Sequence, residues 1–590
     1  MLVAVTIRNG GVRAVRMADV VADGAVGDVS ADAPVAHAAA EAVGGAAAVT
    51  EVTGPAELAE WEQSYAPRWI FDLAAEMYPA LLALGIRVRR CHDLALTERI
   101  LLGREGRFGE PCRAAAILAR AHGEPVPADP VPIDGGARPH VVEQPGLFDD
   151  AVAEATETDP RLLIAAYRDQ MRRVDRSAGG PEATAAGIDV SAGALRLLIA
   201  AESGSALVAA EMSRRGLPWD ADVHRQILAD ALGTRPTDGA RPATLARLAE
   251  EISTAFGFPV NPDSPVDLRE AFHRSGFDIE TTRAWVLREI DHPAVAPLLR
   301  YKDLARLFTA NGWNWLDDWV VDGRLAAQFL PGAVVSGRWA TRGGGGLQLP
   351  TSMRRAAIAE PGHVLGVADA AQLEPRILAA VSKDPALTAL SGDADLYAAL
   401  AAAGLGGDRR HAKLAMLGAM YGQTSGEAAR LMATMRVRYP AAVACVESAA
   451  RRGEAGGVVA SVLGRACPPP SEGWRRAVGA GGASDESRAR RVARDRGRFT
   501  RNFVIQASAA DWAAAWMTTL RLALLDEVPA AEMVLFQHDE LVIHVPEPYA
   551  EQVCELAVTA ATTARDLVFP GSSVHTPVRP VAVRCYADAK

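Results

Sequence analysis

The chain has 590 residues, of which 49% are hydrophobic and 23% charged, and its net charge is −10. This length allows several structural units with large buried cores, and the composition excludes a largely disordered chain. The six scattered cysteines include no CxxC pair, which argues against a zinc ribbon or a disulfide framework. No apolar run of the length a bilayer requires is evident, so we expect no membrane-spanning helix.

The first predicted elements lie before about residue 125, where the strand-like LVAVTI precedes helix-like stretches such as CHDLALTERILL. A Pro- and Gly-rich segment from Glu124 to Phe148 predicts a long loop or linker. From about Ala194 to Ala310, apolar residues recur at three- and four-residue spacings, which predicts helices.

A mixed β region follows, with RLAAQFLP, SGRW and HVLGVADAAQ, and a helical block runs from about Asp393 to Arg451. Near the end, MVLFQHDELVIHVP predicts two strands around a polar turn. Helical blocks that alternate with separate strand pairs predict an α+β fold, in which strands converge from distant parts of the chain.

Two acidic sites each follow an apolar strand. Asp369 ends HVLGVAD, and Asp539 with Glu540 stands at the turn of the last predicted strand pair. Carboxylates at strand ends can be held rigidly on either side of a metal pair, which is the geometry of two-metal phosphoryl chemistry. Acidic turns between strands are also common on protein surfaces, so this pattern alone leaves a solvated turn open.

The segment RRHAKLAMLGAMYG places Arg409, Lys413, Leu417 and Tyr421 on one stripe of a predicted helix. Arg and Lys one turn apart can bind consecutive phosphates, although a basic stripe is more often a solvated face. The apolar residues between them predict that the helix is partly buried. A dense arginine run from Arg488 to Arg501 is either solvated or follows a phosphate backbone.

Together these segments resemble the family A DNA polymerases, of the bacterial DNA polymerase I type. DAAQLEPR (Asp369–Arg376) is similar to the family's first palm motif, DYSQIELR, and Arg409–Gly422 to its fingers motif, RxxxKxxxFxxxYG. QHDE, ending at Glu540, resembles the last palm motif, VHDE. RNFVIQASAADW resembles the segment before the palm helix, and SGRW with LQLP resembles TGRLSS…LQNIP.

The resemblance implies a right-hand polymerase fold, with thumb, palm and fingers, preceded by a degenerate RNase H-like 3′→5′ exonuclease-type domain. The implied boundaries are 1–190 for the exonuclease-like domain, 191–325 for the thumb, 326–395 for the first part of the palm, 396–495 for the fingers and 496–590 for the second part of the palm. No segment resembles the separate 5′-nuclease domain of the family, which we expect to be absent.

The resemblance also implies nucleotidyl transfer from dNTPs to a primer 3′ end, with two Mg²⁺ ions, or Mn²⁺, held by Asp369 and Asp539. Arg409 and Lys413 complete the implied catalytic set by binding the triphosphate. The implied dNTP-binding residues are Gln372, Glu374, Tyr397, Leu417 and Tyr421, of which Glu374 excludes a 2′-hydroxyl. The implied DNA-binding residues are Arg338, Gln348, Asn502, Gln506 and His538. We further expect primer-template DNA as a partner, no membrane, a monomer and a cytoplasmic, nucleoid-associated location.

The chain departs from the family pattern at several positions. Leu417 replaces the usual aromatic residue, Tyr397 stands where a phosphate-facing His is usual, and Ala370 and Ala371 replace a Tyr-Ser pair. Both implied metal-binding carboxylates remain, so we expect an active polymerase with altered nucleotide affinity.

A proofreading site needs an Asp-x-Glu on the first strand, and LVAVTI carries no acid. Later acids, Asp72, Glu76, Asp93 and Asp169, do not complete the family pattern, so we expect no nuclease activity. The leading interpretation is a DNA polymerase without proofreading that serves repair or gap filling. Two alternatives remain open, a catalytically weak or inactive scaffold that binds DNA ends and a 3′→5′ exonuclease that acts through the N-terminal domain.

Overall fold

The computed structural model of the chain describes residues 1–8, 11–17, 49–52, 54–130, 159–176, 190–237, 239–343, 345, 349–405, 407–422, 427–479, 483–537 and 539–589. Two residues predicted to contact DNA, Gln348 and His538, lie outside these ranges, as does most of the predicted linker before Phe148. Helical blocks alternate with separate groups of strands along the chain, which confirms the predicted α+β class.

The N-terminal elements form one unit around a sheet. In chain order they are β1 (Leu2–Arg8), β2 (Gly11–Met17), β3 (Val49–Val52), α1 (Pro55–Tyr65), β4 (Arg68–Phe71), α2 (Ala74–Ala83), β5 (Arg90–Asp93), α3 (Leu94–Arg104), α4 (Ala114–His122) and α5 (Pro160–Arg176). The strand order is β3-β2-β1-β4-β5, and β1 is antiparallel to β2 and parallel to β4. The predicted strand LVAVTI is therefore central, and its Val3, Ala4 and Val5 are fully buried.

A mainly helical unit follows. Its elements are α6 (Ala192–Arg215), β6 (Leu217–Pro218), α7 (Ala221–Leu232), α8 (Ala243–Phe256), α9 (Pro265–Arg274), α10 (Ala284–Leu287), α11 (Val295–Asn311), α12 (Trp313–Trp319), β7 (Val320–Val321) and β8 (Arg324–Leu325). Leu245, Leu248, Ile252 and Phe256 recur along α8 at three- and four-residue spacings and are all buried. This apolar face packs into a hydrophobic cluster that α7, α9 and α11 share.

Helix α6 is long and apolar enough, by length and composition alone, to cross a membrane. In this fold 67% of its apolar window is buried inside the protein. It packs against α2, β5 and the long helix that spans Ala483–Glu527, so its hydrophobicity is explained by burial in the core.

The remaining elements build a sheet and the helices over it. They are β9 (Gln328–Leu330), β10 (Ala340–Arg342), β11 (His363–Ala370), α13 (Leu373–Ser382), α14 (Pro385–Leu390), α15 (Leu396–Ala402), α16 (Arg409–Tyr421), α17 (Glu427–Arg438), α18 (Pro440–Glu454), α19 (Glu472–Gly479), α20 (Ala483–Glu527), β12 (Glu532–Gln537), β13 (Glu540–Pro546), α21 (Ala550–Val568) and β14 (Val578–Val583). Strands β12-β13-β11-β14 form one antiparallel sheet in that order.

Helix α20 is a single element of 45 residues. It crosses the predicted boundary between 495 and 496, so no break in the backbone separates the predicted fingers from the second part of the palm. The arginine run lies on its N-terminal part, where Arg488, Arg490, Arg491, Arg494 and Arg498 are exposed. Its C-terminal part is buried, with Trp512 and Trp516 fully enclosed, because this part packs against α6 and α21.

Candidate active site

The two predicted carboxylates come together at one end of the antiparallel sheet. Asp369 stands near the end of β11, opposite Glu540 of β13, and Asp539 is the residue directly before that strand. The Ala370 N–H donates to the backbone oxygen of Asp539 at 2.9 Å, which fixes the turn against the strand. The flanking residues of both strands are apolar and buried, so the sheet register sets the position of the acids.

The third acid of this group, Glu540, has a different environment. It is 2% exposed and accepts hydrogen bonds from Arg354, at 3.1 Å, and from the hydroxyl of Tyr586. Burial and this hydrogen bond raise the pKa of the Tyr586 hydroxyl well above its usual range, so it stays a donor at neutral pH. Asp369 and Asp539 are half-buried, which makes them the two carboxylates accessible to a ligand.

A cavity of about 290 Å³ lies beside these carboxylates. Its lining includes six of the predicted site residues: Arg338, Gln372, Glu374, Tyr397, Leu417 and Asp539. Small residues of α20, Ala509, Ala510 and Ala513, and the aromatic side chains of Trp339 and Phe536 complete much of the wall. The cavity therefore lies between the sheet, α13 and the basic helix α16.

Glu374 directly contacts two other predicted site residues. Its carboxylate forms an ion pair with Arg338 and accepts a hydrogen bond of 2.6 Å from the Tyr421 hydroxyl. Partial burial and this hydrogen bond raise the pKa of Tyr421 to about 12. The side chain of Gln506 interacts with the same hydroxyl, so residues from α13, α16 and α20 meet at this point.

Helix α16 carries the predicted triphosphate-binding residues on its exposed face. Asp408 caps its start by accepting from the His411 N–H at 2.8 Å, and Gly422 ends it with a φ of 72°, a left-handed conformation that glycine adopts without strain. Ala412, Ala415 and Met416 are buried, which agrees with the predicted partial burial of the helix. Arg409 and Lys413 are exposed.

The Arg409 guanidinium is held by an acid that the sequence analysis did not single out. Its Nε donates to Asp395 at 2.6 Å, and the guanidinium lies 5.7 Å from the centre of the Tyr397 ring. Burial alone would raise the pKa of Asp395, but the hydrogen bonds from Arg409 and Gln372 outweigh it and hold this pKa at about 2. Asp395 is therefore ionised at neutral pH.

Tyr397 and Gln372 lie at the cavity but take part in internal contacts. Burial raises the pKa of Tyr397 to about 12, and the side chain is only 7% exposed. The Gln372 amide donates to Asp395 at 2.8 Å and accepts from the Leu396 N–H at 2.7 Å. Asn502, on α20, is half-buried.

The residues that sequence reasoning missed are of two kinds. Asp395 carries a recognisable signal, since an Asp directly before a helical segment is a preferred cap, and it accepts from the N–H groups of Tyr397 and Ala398. Trp339, Phe536 and the alanines of α20 have no such signal, because small and apolar residues at a cavity wall resemble core residues in a sequence.

A four-stranded antiparallel sheet with two accessible carboxylates at one end, next to a cavity beneath a basic helix, defines the palm and fingers of a right-hand polymerase. The POL domain of Pol1 from M. smegmatis, solved in complex with DNA primer-template and dNTP, has the same fold, with a TM-score of 0.66 at 19% sequence identity. The similarity covers 92% of this chain and 91% of that domain.

The sequence model of DNA polymerase family A matches residues 240–575, and the chain belongs to this family. DNA polymerase I of Chloroflexus aurantiacus is 28% identical over 380 residues, which cover 57% of this chain and 39% of that protein. DNA polymerase I of Deinococcus radiodurans is 30% identical over 296 residues, which cover 45% and 29%. The matches thus span less than half the length of these relatives.

Proposed function

We propose that this chain is a template-directed DNA polymerase that adds nucleotides from dNTPs to a primer 3′ end. The observation that carries the proposal is the sheet register, which sets Asp369 opposite Glu540 and brings Asp539 to the same end of the sheet. The cavity beside these acids and the exposed basic face of α16 support it. Membership of DNA polymerase family A supports it independently.

Asp369 and Asp539 fit the divalent ions that this chemistry uses. Mg²⁺ prefers oxygen ligands, and these two half-exposed carboxylates offer them, whereas the Glu540 carboxylate is buried against Arg354 and Tyr586. We assign two Mg²⁺ ions to this pair, with Mn²⁺ as a substitute. Such ions lower the pKa of the attacking hydroxyl and stabilise the leaving pyrophosphate.

The fingers helix supplies the positive charge for the nucleotide. In this proposal Arg409 and Lys413 bind the triphosphate, because both side chains are exposed on one face of α16. Binding requires the Arg409 guanidinium to exchange Asp395 for phosphate oxygens. We assign the exclusion of a 2′-hydroxyl to Glu374, which Arg338 and Tyr421 hold in place. Leu417 and Tyr397 line the same cavity, which supports a role for both beside the base and sugar.

DNA contacts are assigned to residues around the cavity and along α20. Arg338, Asn502 and Gln506 are the described candidates, while Gln348 and His538 stay predictions from the sequence. The exposed arginines at the N-terminal part of α20 give a local positive surface on an acidic protein, as binding to a phosphate backbone requires.

We also propose that the N-terminal unit does not proofread. Its central strand β1, Leu2–Arg8, carries no acid. Asp72 accepts from Arg113 at 2.8 Å and from the Ala114 N–H at 2.7 Å, and Asp93 accepts from the Ala74 and Leu96 N–H groups. These carboxylates hold the fold together, which supports a structural role. Gap filling or repair as a cytoplasmic, nucleoid-associated monomer fits a polymerase of this kind.

Primer extension by Asp369→Asn and Asp539→Asn tests the assignment. Loss of a group that stabilises charge in a transition state costs roughly 10²–10⁵-fold in rate, so we expect a drop in this range with Mg²⁺ present. Glu551→Gln is the matched control, because Glu551 is an exposed carboxylate on α21, and it should extend at the wild-type rate. Binding of a labelled primer-template by all three variants shows that they are folded.

Two results would contradict the proposal. Equal extension by Asp539→Asn and wild type would show that the metal site is assigned wrongly. Tight binding of primer-template by a wild-type chain that never extends it would indicate a scaffold that binds DNA ends.

A further inference from the structure

A second group of metal-ligating side chains lies at the opposite end of the same sheet. Glu360, His363 and His544 each offer a ligand atom, and these atoms lie within 4.8 Å of one another. His363 begins β11, whereas Asp369 stands six residues further along the strand. At about 3.4 Å per residue the two sites are roughly 20 Å apart, so this group is separate from the catalytic carboxylates.

The strand register and one tight turn bring the three side chains together. Leu365 is the partner of His544 in the register, and residues 363 and 365 point to the same face of the sheet. His363 and His544 are therefore diagonal neighbours on one face, and their rings stack with centroids 4.4 Å apart. The Pro361-Gly362 turn, with Gly362 at a φ of 77°, places Glu360 beside them, and the His363 N–H donates to the Glu360 backbone oxygen at 3.0 Å.

His544 contributes a buried ring nitrogen to this group. The residue is only 3% exposed, and its Nε2 atom is buried without a hydrogen-bond partner among the described residues. Buried polar atoms are nearly always paired in proteins, so an unpaired ring nitrogen beside a second imidazole and a carboxylate points to a missing ligand.

We propose that Glu360, His363 and His544 form a binding site for a Zn²⁺-class transition-metal ion, beyond the polymerase function proposed above. Two imidazole nitrogens and one carboxylate are a donor set that Zn²⁺ accepts, with a fourth position open to water. The same set disfavours Mg²⁺, which prefers oxygen ligands. The bound ion would cross-link the Pro361-Gly362 turn to strands β11 and β13.

Two local changes accompany binding. Parallel imidazoles cannot both direct their lone pairs at one ion, so the ring of His363 has to tilt out of the stack. His363 is half-buried at the surface, and its Nδ1 lies 3.3 Å from the Pro361 oxygen, a weak contact. Glu360 accepts from Arg324 at 2.5 Å through Oε1, so the ion either takes Oε2 or displaces the guanidinium.

The test is a Zn²⁺ titration of the full chain, with a zinc-binding dye as competitor. Excess Mg²⁺ is present to occupy the carboxylates of Asp369 and Asp539. We expect one tight Zn²⁺ in the wild type, and an affinity lower by roughly a hundredfold or more in His363→Gln and in Glu360→Gln. His273→Gln removes an exposed histidine elsewhere and should bind as the wild type does. Asp369→Asn should also keep the ion, which separates this site from the polymerase site.

His544→Gln is a third variant. Because His544 is buried, this variant carries the greatest risk of misfolding. His363 and Glu360 are nearer the surface, so their variants decide the outcome if His544→Gln fails to fold. X-ray absorption at the zinc edge should show imidazole scattering and no sulfur. Unchanged Zn²⁺ affinity in both His363→Gln and Glu360→Gln, a sulfur shell from the cysteines, or no tight Zn²⁺ in the wild type would overturn the proposal.

Discussion

At the scale of single residues, the site is held together by contacts among its own side chains. Glu374 is engaged by Arg338 and Tyr421, and Arg409 is engaged by Asp395. These contacts fix the side chains in place, and under the proposed function each one sets a condition that an incoming nucleotide has to meet. Two of them lead to measurable predictions.

Replacing Glu374 by Ala should relax the choice between deoxyribonucleotides and ribonucleotides. The carboxylate narrows the cavity where the sugar is expected, so its removal makes room for a 2′-hydroxyl. We expect the relative efficiency of ribonucleotide incorporation to rise by roughly tenfold or more. Tyr421→Phe removes the hydroxyl that contacts Glu374 and Gln506 but keeps the Glu374 carboxylate, so it serves as the control, with a smaller effect. An unchanged ratio in Glu374→Ala would exclude this role.

Replacing Asp395 by Asn should favour nucleotide binding. The amide still caps α15 but no longer holds the Arg409 guanidinium by charge, so the guanidinium is released more easily to phosphate. Exposed ion pairs are weak, and we expect the KM for dNTP to fall by about two- to fivefold. Asp393→Asn changes a neighbouring exposed acid and should leave KM unchanged. A raised KM in Asp395→Asn would mean that Asp395 helps to bind the nucleotide.

The sequence indicated which residues belong to the candidate site, but it did not indicate which of them contact each other. The motif order and spacing indicated Asp369, Glu374, Arg409 and Asp539, because charged residues at strand ends and on one helix face leave a pattern in the sequence. Contacts such as Arg409 with Asp395 join different elements, and nothing in the spacing specifies which carboxylate faces which cation. The alanines of α20 that shape the cavity gave no signal at all.

At the scale of elements, the long helix α20 is the support against which the site is built. It contacts α6, α13, α16, α18 and α21, and its C-terminal part is buried. The sequence analysis singled out an arginine run and a segment similar to the one before the family's palm helix, and not one uninterrupted helix, because the N-terminal part is highly charged and the C-terminal part apolar. This change in character follows from location, since one part lies at the surface and the other in the core.

The contact between α6 and α20 depends on a residue without a side chain. A Cβ at Gly204 of α6 would collide with the side chain of Thr518 on α20. Gly204→Ala should therefore destabilise the protein by about 1–3 kcal/mol, measured by urea unfolding, despite the better helix propensity of Ala. Gly193→Ala on the same helix is the matched control, because its Cβ would meet only Ser191 Oγ at 3.8 Å. Thr518→Ala in the Gly204→Ala background should restore part of the loss, and equal stability of the two Gly→Ala variants would refute the close contact.

At the scale of the whole molecule, the N-terminal unit and the palm are joined by a buried ionic network. Glu211 of α6 forms an ion pair with Arg521 of α20 at 2.6 Å and accepts from the Tyr78 hydroxyl of α2 at 2.6 Å. Arg521 also donates to the Val88 oxygen at 2.7 Å. The sequence predicted separate units in this order, but not how they join, because paired buried charges are not distinguishable from surface charges in a sequence.

This network predicts a pH dependence of stability. Burial would raise the pKa of Glu211, but Arg521 and Arg87 outweigh it and lower this pKa from 4.5 to about 2. The folded pKa is the lower one, so the stabilisation is present above pH 4.5 and is lost as pH falls toward 2. It amounts to about 3 kcal/mol.

The variant Glu211→Gln isolates this contribution. It leaves Arg521 buried without its counter-charge, so we expect it to unfold about 3–5 kcal/mol more easily at neutral pH. The difference from wild type should shrink as the pH is lowered from about 4.5, because Glu211 becomes neutral as well. The check is urea unfolding of both proteins as a function of pH. A difference in the free energy of unfolding that stays constant down to pH 3 would show that the network does not lower the pKa of Glu211.

The measurement that tests the central claim most directly is primer extension by the wild-type chain on a gapped duplex with Mg²⁺, scored together with degradation of a mismatched 3′ end. The account predicts that the gap is filled and that the mismatched end stays intact, since the palm keeps both Asp369 and Asp539 while β1 has no acid. Degradation of the mismatched end, or the absence of any extension, would contradict it.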